Sequence, residues 1–294
     1  MIDAHLHLWD PKVLTYDWLK HVPTIAGAHT PADWARADTG VGRAIFVQSD
    51  CAPDQALAEA DWVSGLEHPA LDILAIVAFA PLEQGAAALP HLEALRERPK
   101  VTGIRRSVQN EVDDFITDAA HIDGLVAAAS AGLTIDICAR GRQLPRVISA
   151  LDALFQREPN ARVILDHLGK PDIAANGPDI DADEWAVSLR TLADFPGLSA
   201  KISGLATEDK WDAHRPEVLG RYITHAIACF GPDRLMFGGD WPVVDLAGGY
   251  RQWVETFDHA IADLDSVAQH AIRQGTALKF YAPAARMADK EFAA

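Results

Sequence analysis

Ile73-Leu74-Ala75-Ile76-Val77-Ala78-Phe79 is apolar at every position. A strand with one wet face alternates apolar and polar residues. An unbroken run of this length instead describes a strand covered on both faces, as in a parallel sheet flanked by helices. Val163-Ile164-Leu165 repeats the signal. Working outward, candidate strands fall at 2–9, 43–48, 73–79, 101–107, 133–138, 162–167, 198–203 and 234–240. Between them lie amphipathic stretches. Leu219, Tyr222, Ile223, Ala226, Ile227 and Phe230 share one helical face, as do Val147, Leu151, Leu154 and Phe155 on a shorter span. Asp54 and Asp118 are placed to cap helix N-termini. Eight strands, each followed by a helix, predict a single α/β domain over 1–294, a (β/α)8 TIM barrel. The competing open, doubly wound sheet lacks its glycine fingerprint, because no GxGxxG follows any strand.

The 294 residues suit one barrel, and 49% hydrophobic with 23% charged residues is ordinary for a globular chain. A net charge of -16 argues against nucleic acid and anionic membrane as partners, since phosphates would be repelled. Cys51, Cys138 and Cys229 are an odd, widely spaced set, which points to a reducing, cytoplasmic setting. Candidate chemistry begins at residue 3, leaving no room for a signal peptide, and no apolar run approaches the roughly 20 residues of a membrane span. The stretches 10–40 and 169–183 are long for strand–helix connections and read either as pocket walls or as surface excursions.

Active sites of such barrels gather at the C-terminal ends of the strands. Strand one carries His5 and His7, whose i, i+2 spacing puts both imidazoles on one face. Strand four carries Arg105 and Arg106, of which alternation sends only one inward. Strand five carries Asp136, with Arg140 beyond it. Strand six ends in Asp166-His167, with Lys170 following; strand seven offers Lys201 and Ser203, and strand eight Asp240. Each has a structural alternative: histidines bonded to backbone, Asp166 or Lys201 in ion pairs, Asp240 capping a turn. Together they deliver charge from several strands to one rim, which is costly to desolvate unless paired.

Asp3-Ala-His-Leu-His-Leu-Trp9, Gly103-Ile-Arg105, Asp166-His-Leu-Gly-Lys-Pro171, Lys201-Ile-Ser-Gly-Leu205 and Met236-Phe-Gly-Gly-Asp-Trp-Pro242, in this order, resemble the amidohydrolase superfamily. More narrowly they resemble its sugar lactonase group, with L-fuconolactonases, L-rhamnonolactonases and pyrone-dicarboxylate lactonases. The resemblance runs from residue 2 to about Tyr281. It implies a barrel hydrolase of carbohydrate metabolism that opens a small sugar-acid lactone of the L-fucono- or L-galactono type. His5, His7, His167 and Asp240 match the superfamily's metal ligands, a set suited to one Zn²⁺. Strand four carries arginine, and strand five Asp136 and Cys138, in place of the remaining ligands, so a binuclear centre is not expected. The lactonase group also resembles metal-free catalysts. On this reading Asp240 is the general base, and His5, His7 and His167 orient water, polarise the carbonyl or hold the metal. Arg105, Arg106 and Lys201 are candidates to bind carbonyl or carboxylate, the resemblance favouring Arg105 for the pocket. Trp9, Trp18, Trp241 and Tyr281 are pocket walls or core. Stretches 10–40 and 107–118 would set stereochemistry, and a homo-oligomer is left open. Competing readings are a zinc-dependent decarboxylase or amide hydrolase of the same superfamily, and a non-catalytic carbohydrate-binding barrel.

Overall fold

The computed structural model describes residues 1–37, 39–180, 183–213 and 215–281; residues 282–294 of the expected domain lie outside them. Eight strands form one parallel sheet in sequential order: β1 (Asp3–Leu6), β2 (Arg43–Val47), β3 (Asp72–Phe79), β4 (Val101–Arg105), β5 (Thr134–Ile137), β6 (Val163–Leu165), β7 (Leu198–Ile202) and β8 (Leu235–Phe237). A bridge between Leu6 and Trp241 brings the last strand's exit back to the first, so the sheet rolls into a barrel. Among the described residues no helix is long and apolar enough to cross a membrane.

Strand alternation sorts side chains between two environments. Ile104, Ile135, Ile137, Leu165, Ala200, Ile202 and Phe237 point outward into the core beneath the helices. Val77, Ile164 and Met236 point inward, where Ala277, Phe280 and Tyr281 of the terminal helix Thr276–Tyr281 join them. That helix plugs the N-terminal end of the barrel, and its Phe280 carbonyl accepts from the Thr134 hydroxyl at the start of β5. The opposite end is left to polar residues.

The helix Pro216–Phe230 buries Leu219, Tyr222, Ile223, Ala226 and Phe230, and Leu144–Arg157 buries Val147, Leu151 and Leu154, as their spacing requires. Asp118 caps its helix by accepting from the Ala120 N–H. Asp54 does not cap one. It lies inside a 3₁₀ turn, Pro53–Gln55, which Pro53 opens and Ala52 precedes as the cap position, so Asp54 is already past it, and the α-helix begins only at Ala56. The expected strands 162–167 and 234–240 are cut short at Leu165 and Phe237. Beyond those points the backbone turns left-handed, at His167, Leu168, Gly169 and Lys170 after β6 and at Asp240 after β8.

The stretch 10–40 folds as two 3₁₀ turns, Asp17–His21 and Pro23–Ile25, and the helix Pro31–Arg36. It has its own apolar cluster of Trp9, Leu14, Tyr16, Leu19 and Ile25, which seats it over the C-terminal ends of β1 and β2.

Candidate active site

Two runs of left-handed backbone aim the chemistry. Each such non-glycine residue costs about 1–2 kcal/mol, and such strain concentrates at functional sites. His167, Leu168 and Lys170 sit at φ 54°, 52° and 47°, and this turn carries both His167 and Lys170 to one cavity. Asp240, at φ 56°, donates its N–H to the His5 carbonyl at 2.8 Å, which ties the end of β8 to β1. Asp3 tightens the same seam: Oδ1 accepts from the N–H groups of His5 and Gly239, and Oδ2 from the Tyr250 hydroxyl.

The cavity at the C-terminal mouth holds about 160 Å³. His7, His167 and Asp240 form its floor; Trp9 and Trp18 form one side; Arg105, Gln109 and Lys170 stand on another. Ser49 and Asp50, from the exit of β2, complete the rim. A larger hollow of about 850 Å³ lies on the outer surface, between the helices Pro216–Phe230 and Tyr250–Ala260. It contains none of the converging groups of the floor, so the smaller cavity is the candidate site.

On that floor three acceptor atoms converge. His7 Nδ1 meets the Val47 carbonyl at 2.8 Å. A carbonyl only accepts, so we assign the proton to Nδ1, and Nε2 of the neutral ring presents a lone pair. His5 Nδ1 lies 3.2 Å from Asp166 Oδ1 and 3.3 Å from Lys201 Nζ; with its proton on Nδ1 toward the carboxylate, Nε2 presents a lone pair, and Arg105 Nη1 lies 3.4 Å from it. The two Nε2 atoms are 3.1 Å apart, and Asp240 Oδ1 lies 3.4 Å from that of His7 and 3.9 Å from that of His5. Three lone-pair donors at such separations repel one another unless a cation or a proton lies between them. His5, His7 and Asp240 therefore fit a metal ion, and nitrogen and carboxylate donors suit zinc. His167, the fourth expected ligand, is held by Nδ1 2.9 Å from the Ser203 hydroxyl and groups with His5 and Asp166.

Below the floor lies a buried ionic network. Lys201 Nζ reaches Asp136 Oδ2 at 2.5 Å, Asp166 Oδ1 at 3.0 Å and His5 Nδ1 at 3.3 Å. Arg105 pairs with Asp166 at 3.2 Å and donates to the Gln48 carbonyl at 2.7 Å. Burial would raise the Asp166 carboxyl, but Lys201, His5 and Arg105 hold it well below the usual carboxylate range. Burial drives His5 and His167 well below the ordinary imidazole value, so both are neutral at pH 7. Burial would raise Asp240 too, yet His167, the His7 contact and Lys170 keep it below its usual value. A base needs that ionised state.

The structure brings His5, His7, His167, Asp240 and Arg105 together, with Trp9 and Trp18 beside them. It does not bring Arg106, Lys201, Trp241 or Tyr281 to the cavity wall. Ile104 and Arg106 point away from the barrel axis while Arg105 points in. Arg106 is spent on Glu83 at 2.9 Å and Glu111 at 2.8 Å. Lys201 is wholly buried among its carboxylates. Tyr281 donates to Asp136 from the terminal plug, at 2.7–2.8 Å. Trp241 packs edge-on against His29 and Trp34.

Residues missed from the sequence are Ser49, Asp50 and Gln109. The polar triplet Gln48-Ser49-Asp50 directly after an apolar strand was the available signal, since Arg105, His167 and Asp240 likewise follow their strand's last apolar residue. Its carbonyls do the orienting: Val47 holds His7, Gln48 holds Arg105, and Ser49 accepts from the Trp18 indole at 2.8 Å.

An L-fucono-1,5-lactonase of Burkholderia multivorans is 30% identical over 96% of this chain and 95% of its own length. One from Burkholderia ambifaria is 31% identical over 85% of this chain and 82% of its own. A crystal structure of a Burkholderia multivorans amidohydrolase with bound zinc superposes with a TM-score of 0.82 at 28% identity, covering 96% of this chain and 98% of that one. The profile of the Amidohydrolase family matches residues 2–282, nearly the whole barrel, and the chain belongs to that family.

Proposed function

We propose that the protein hydrolyses the ester of a small sugar-acid lactone. The observation that carries this reading is a buried Asp240 carboxylate 3.4 Å from His7, beside His5 and His167, in a cavity walled by two tryptophans. The naming of relatives at about 30% identity as L-fucono-1,5-lactonases supports the substrate class.

Asp240 takes a proton from water as the water oxygen adds to the lactone carbonyl. The tetrahedral centre then expels the ring oxygen, the C–O bond breaks, and the proton held by Asp240 passes to the leaving alkoxide. One water is consumed and one hydroxy acid is formed. His167, fixed by Ser203, and Arg105, fixed by Asp166 and the Gln48 carbonyl, are rigidly held donors beside the developing oxyanion. Trp9 and Trp18 offer apolar faces to the C–H groups of a ring and exclude bulk water. His5, His7 and Asp240 would hold a zinc ion, which when bound polarises the carbonyl as a Lewis acid.

A pH-indicator assay on a panel of aldonolactones tests this reading. Asp240→Asn should lower kcat by about two to four decades with circular dichroism unchanged. Near-normal turnover in that variant would remove Asp240 from the chemistry, and silence of the parent protein on every lactone would end the lactonase reading. Elemental analysis tests the metal separately. Purified protein should hold one zinc equivalent, lost in His7→Ala; a ratio near zero in zinc-supplemented protein would leave a proton to bridge the three donors.

A further inference from the structure

The cavity wall has charged and polar groups that hydrolysis itself does not use. Gln109 lines it, and its Oε1 is buried without a partner among the described residues. The amide can turn to offer either a donor or an acceptor. Asp50 stands exposed at the mouth in a left-handed conformation, φ 53°. The Gln48 side chain clamps it from both sides, donating to its Oδ1 at 2.9 Å and accepting from its N–H at 2.7 Å. A strained and clamped acid at a cavity rim is built to receive hydrogen-bond donors.

The charge balance points the same way. The cations on the cavity wall are Arg105 and Lys170, and both are committed, Arg105 to Asp166 at 3.2 Å and Lys170 to Glu208 at 3.0 Å. With Asp50 and Asp240 on the wall, and with the network followed out to Lys201, Arg140 and Asp136, four cations face five carboxylates. A carboxylate carried by the substrate at the rim, away from the floor of His5, His7 and Asp240, would meet Asp50 and cations that are already paired. Hydroxyl groups would find acceptors.

We infer that Asp50 and Gln109 are the specificity-determining residues that bind the substrate's hydroxyl groups, and that the substrate is an uncharged polyhydroxy lactone, not one bearing a carboxylate. This rests on the lactonase reading above and deepens it.

The experiment compares kcat/KM for three probes: a polyhydroxylated aldono-1,5-lactone, unsubstituted δ-valerolactone and a δ-lactone bearing a ring carboxylate. Asp50→Asn tolerates the left-handed backbone and removes the charge. It should cut kcat/KM for the hydroxylated lactone about tenfold or more relative to δ-valerolactone, the scale of a lost charged hydrogen bond. It should at the same time raise the carboxylated lactone relative to δ-valerolactone. Gln109→Ala should shift the hydroxylated-to-unsubstituted ratio in the same direction, and serves as the second arm if Asp50→Asn folds poorly. A merely structural role would lower all three probes in parallel, and that result overturns the proposal, as does a parent enzyme that prefers the carboxylated lactone. Absence of hydrolysis on every probe by the parent enzyme overturns the lactonase reading and this inference with it.

Discussion

A methyl group at Gly204 would sit 2.4 Å from His167 Nδ1, at a residue whose φ is +63°. The neighbour is an imidazole already fixed by Ser203, so it cannot yield without leaving the floor. Gly204→Ala should therefore destabilise the protein by at least about 1–2 kcal/mol from backbone strain alone, read as a lower urea midpoint. It should also depress kcat more than KM, because the displaced group belongs to the chemistry. A variant with lowered stability but parental kcat would show that His167 can move without cost. At this scale the sequence was partly legible. His5, His7, His167 and Asp240 could be named because imidazole and carboxylate at strand ends are chemically conspicuous. Gln109 could not, since an amide in a connection looks like an ordinary loop residue, and the polar triplet ending at Asp50 reads as a turn until the left-handed backbone and the Gln48 clamp are seen.

The exit of β2 shows how an element can organise a site it hardly enters. Its successive carbonyls at Val47, Gln48 and Ser49 orient His7, Arg105 and Trp18, and the Ser49 N–H is anchored 3.2 Å from Glu59 of the helix Ala56–Ser64. Glu59 is fully buried, and burial pushes its carboxyl from 4.5 up to about 8. The folded protein thus keeps a proton that the unfolded chain releases above 4.5. Stability from this group is complete below pH 4.5 and declines as pH rises toward 8, by up to about 1.4 kcal/mol per unit. Glu59→Gln keeps an acceptor for Ser49 and removes the titration. Its Tm relative to the parent should rise between pH 5 and pH 8.5, and a pH-independent difference would show that Glu59 is ionised when folded. Strand positions were readable because covered strands are apolar throughout. Strand ends were not, because apolar patterning does not announce a left-handed turn. The choice between Arg105 and Arg106 needed the outward direction of Ile104.

Over the whole molecule, parallel topology with inward and outward alternation was legible from apolar runs and the helical periods between them. The terminal plug was not. Tyr281 and Phe280 read as one more amphipathic end, and only packing shows them closing the barrel's base, with Tyr281 bonded to Asp136. The seam between β1 and β8 also shows only in three dimensions. Asp3 accepts three hydrogen bonds there while completely buried. Asp3→Ala would leave those donors unpaired at about 1–3 kcal/mol each. We expect a loss of several kcal/mol in denaturant unfolding, together with lower turnover in the fraction that remains folded. A change below about 1 kcal/mol would mean that the bridge between Leu6 and Trp241 holds the seam without it.

That seam has a consequence for biosynthesis. His5 and His7 emerge from the ribosome some 230 residues ahead of Asp240. Throughout translation the nascent chain carries half of a catalytic floor and no means of using it. Chains truncated before the eighth strand should be inert however well their earlier strands associate. The two pieces of a chain divided between β4 and β5 should each be silent and should recover turnover only on reunion. Catalysis in this architecture is a report that the first and last strands have met.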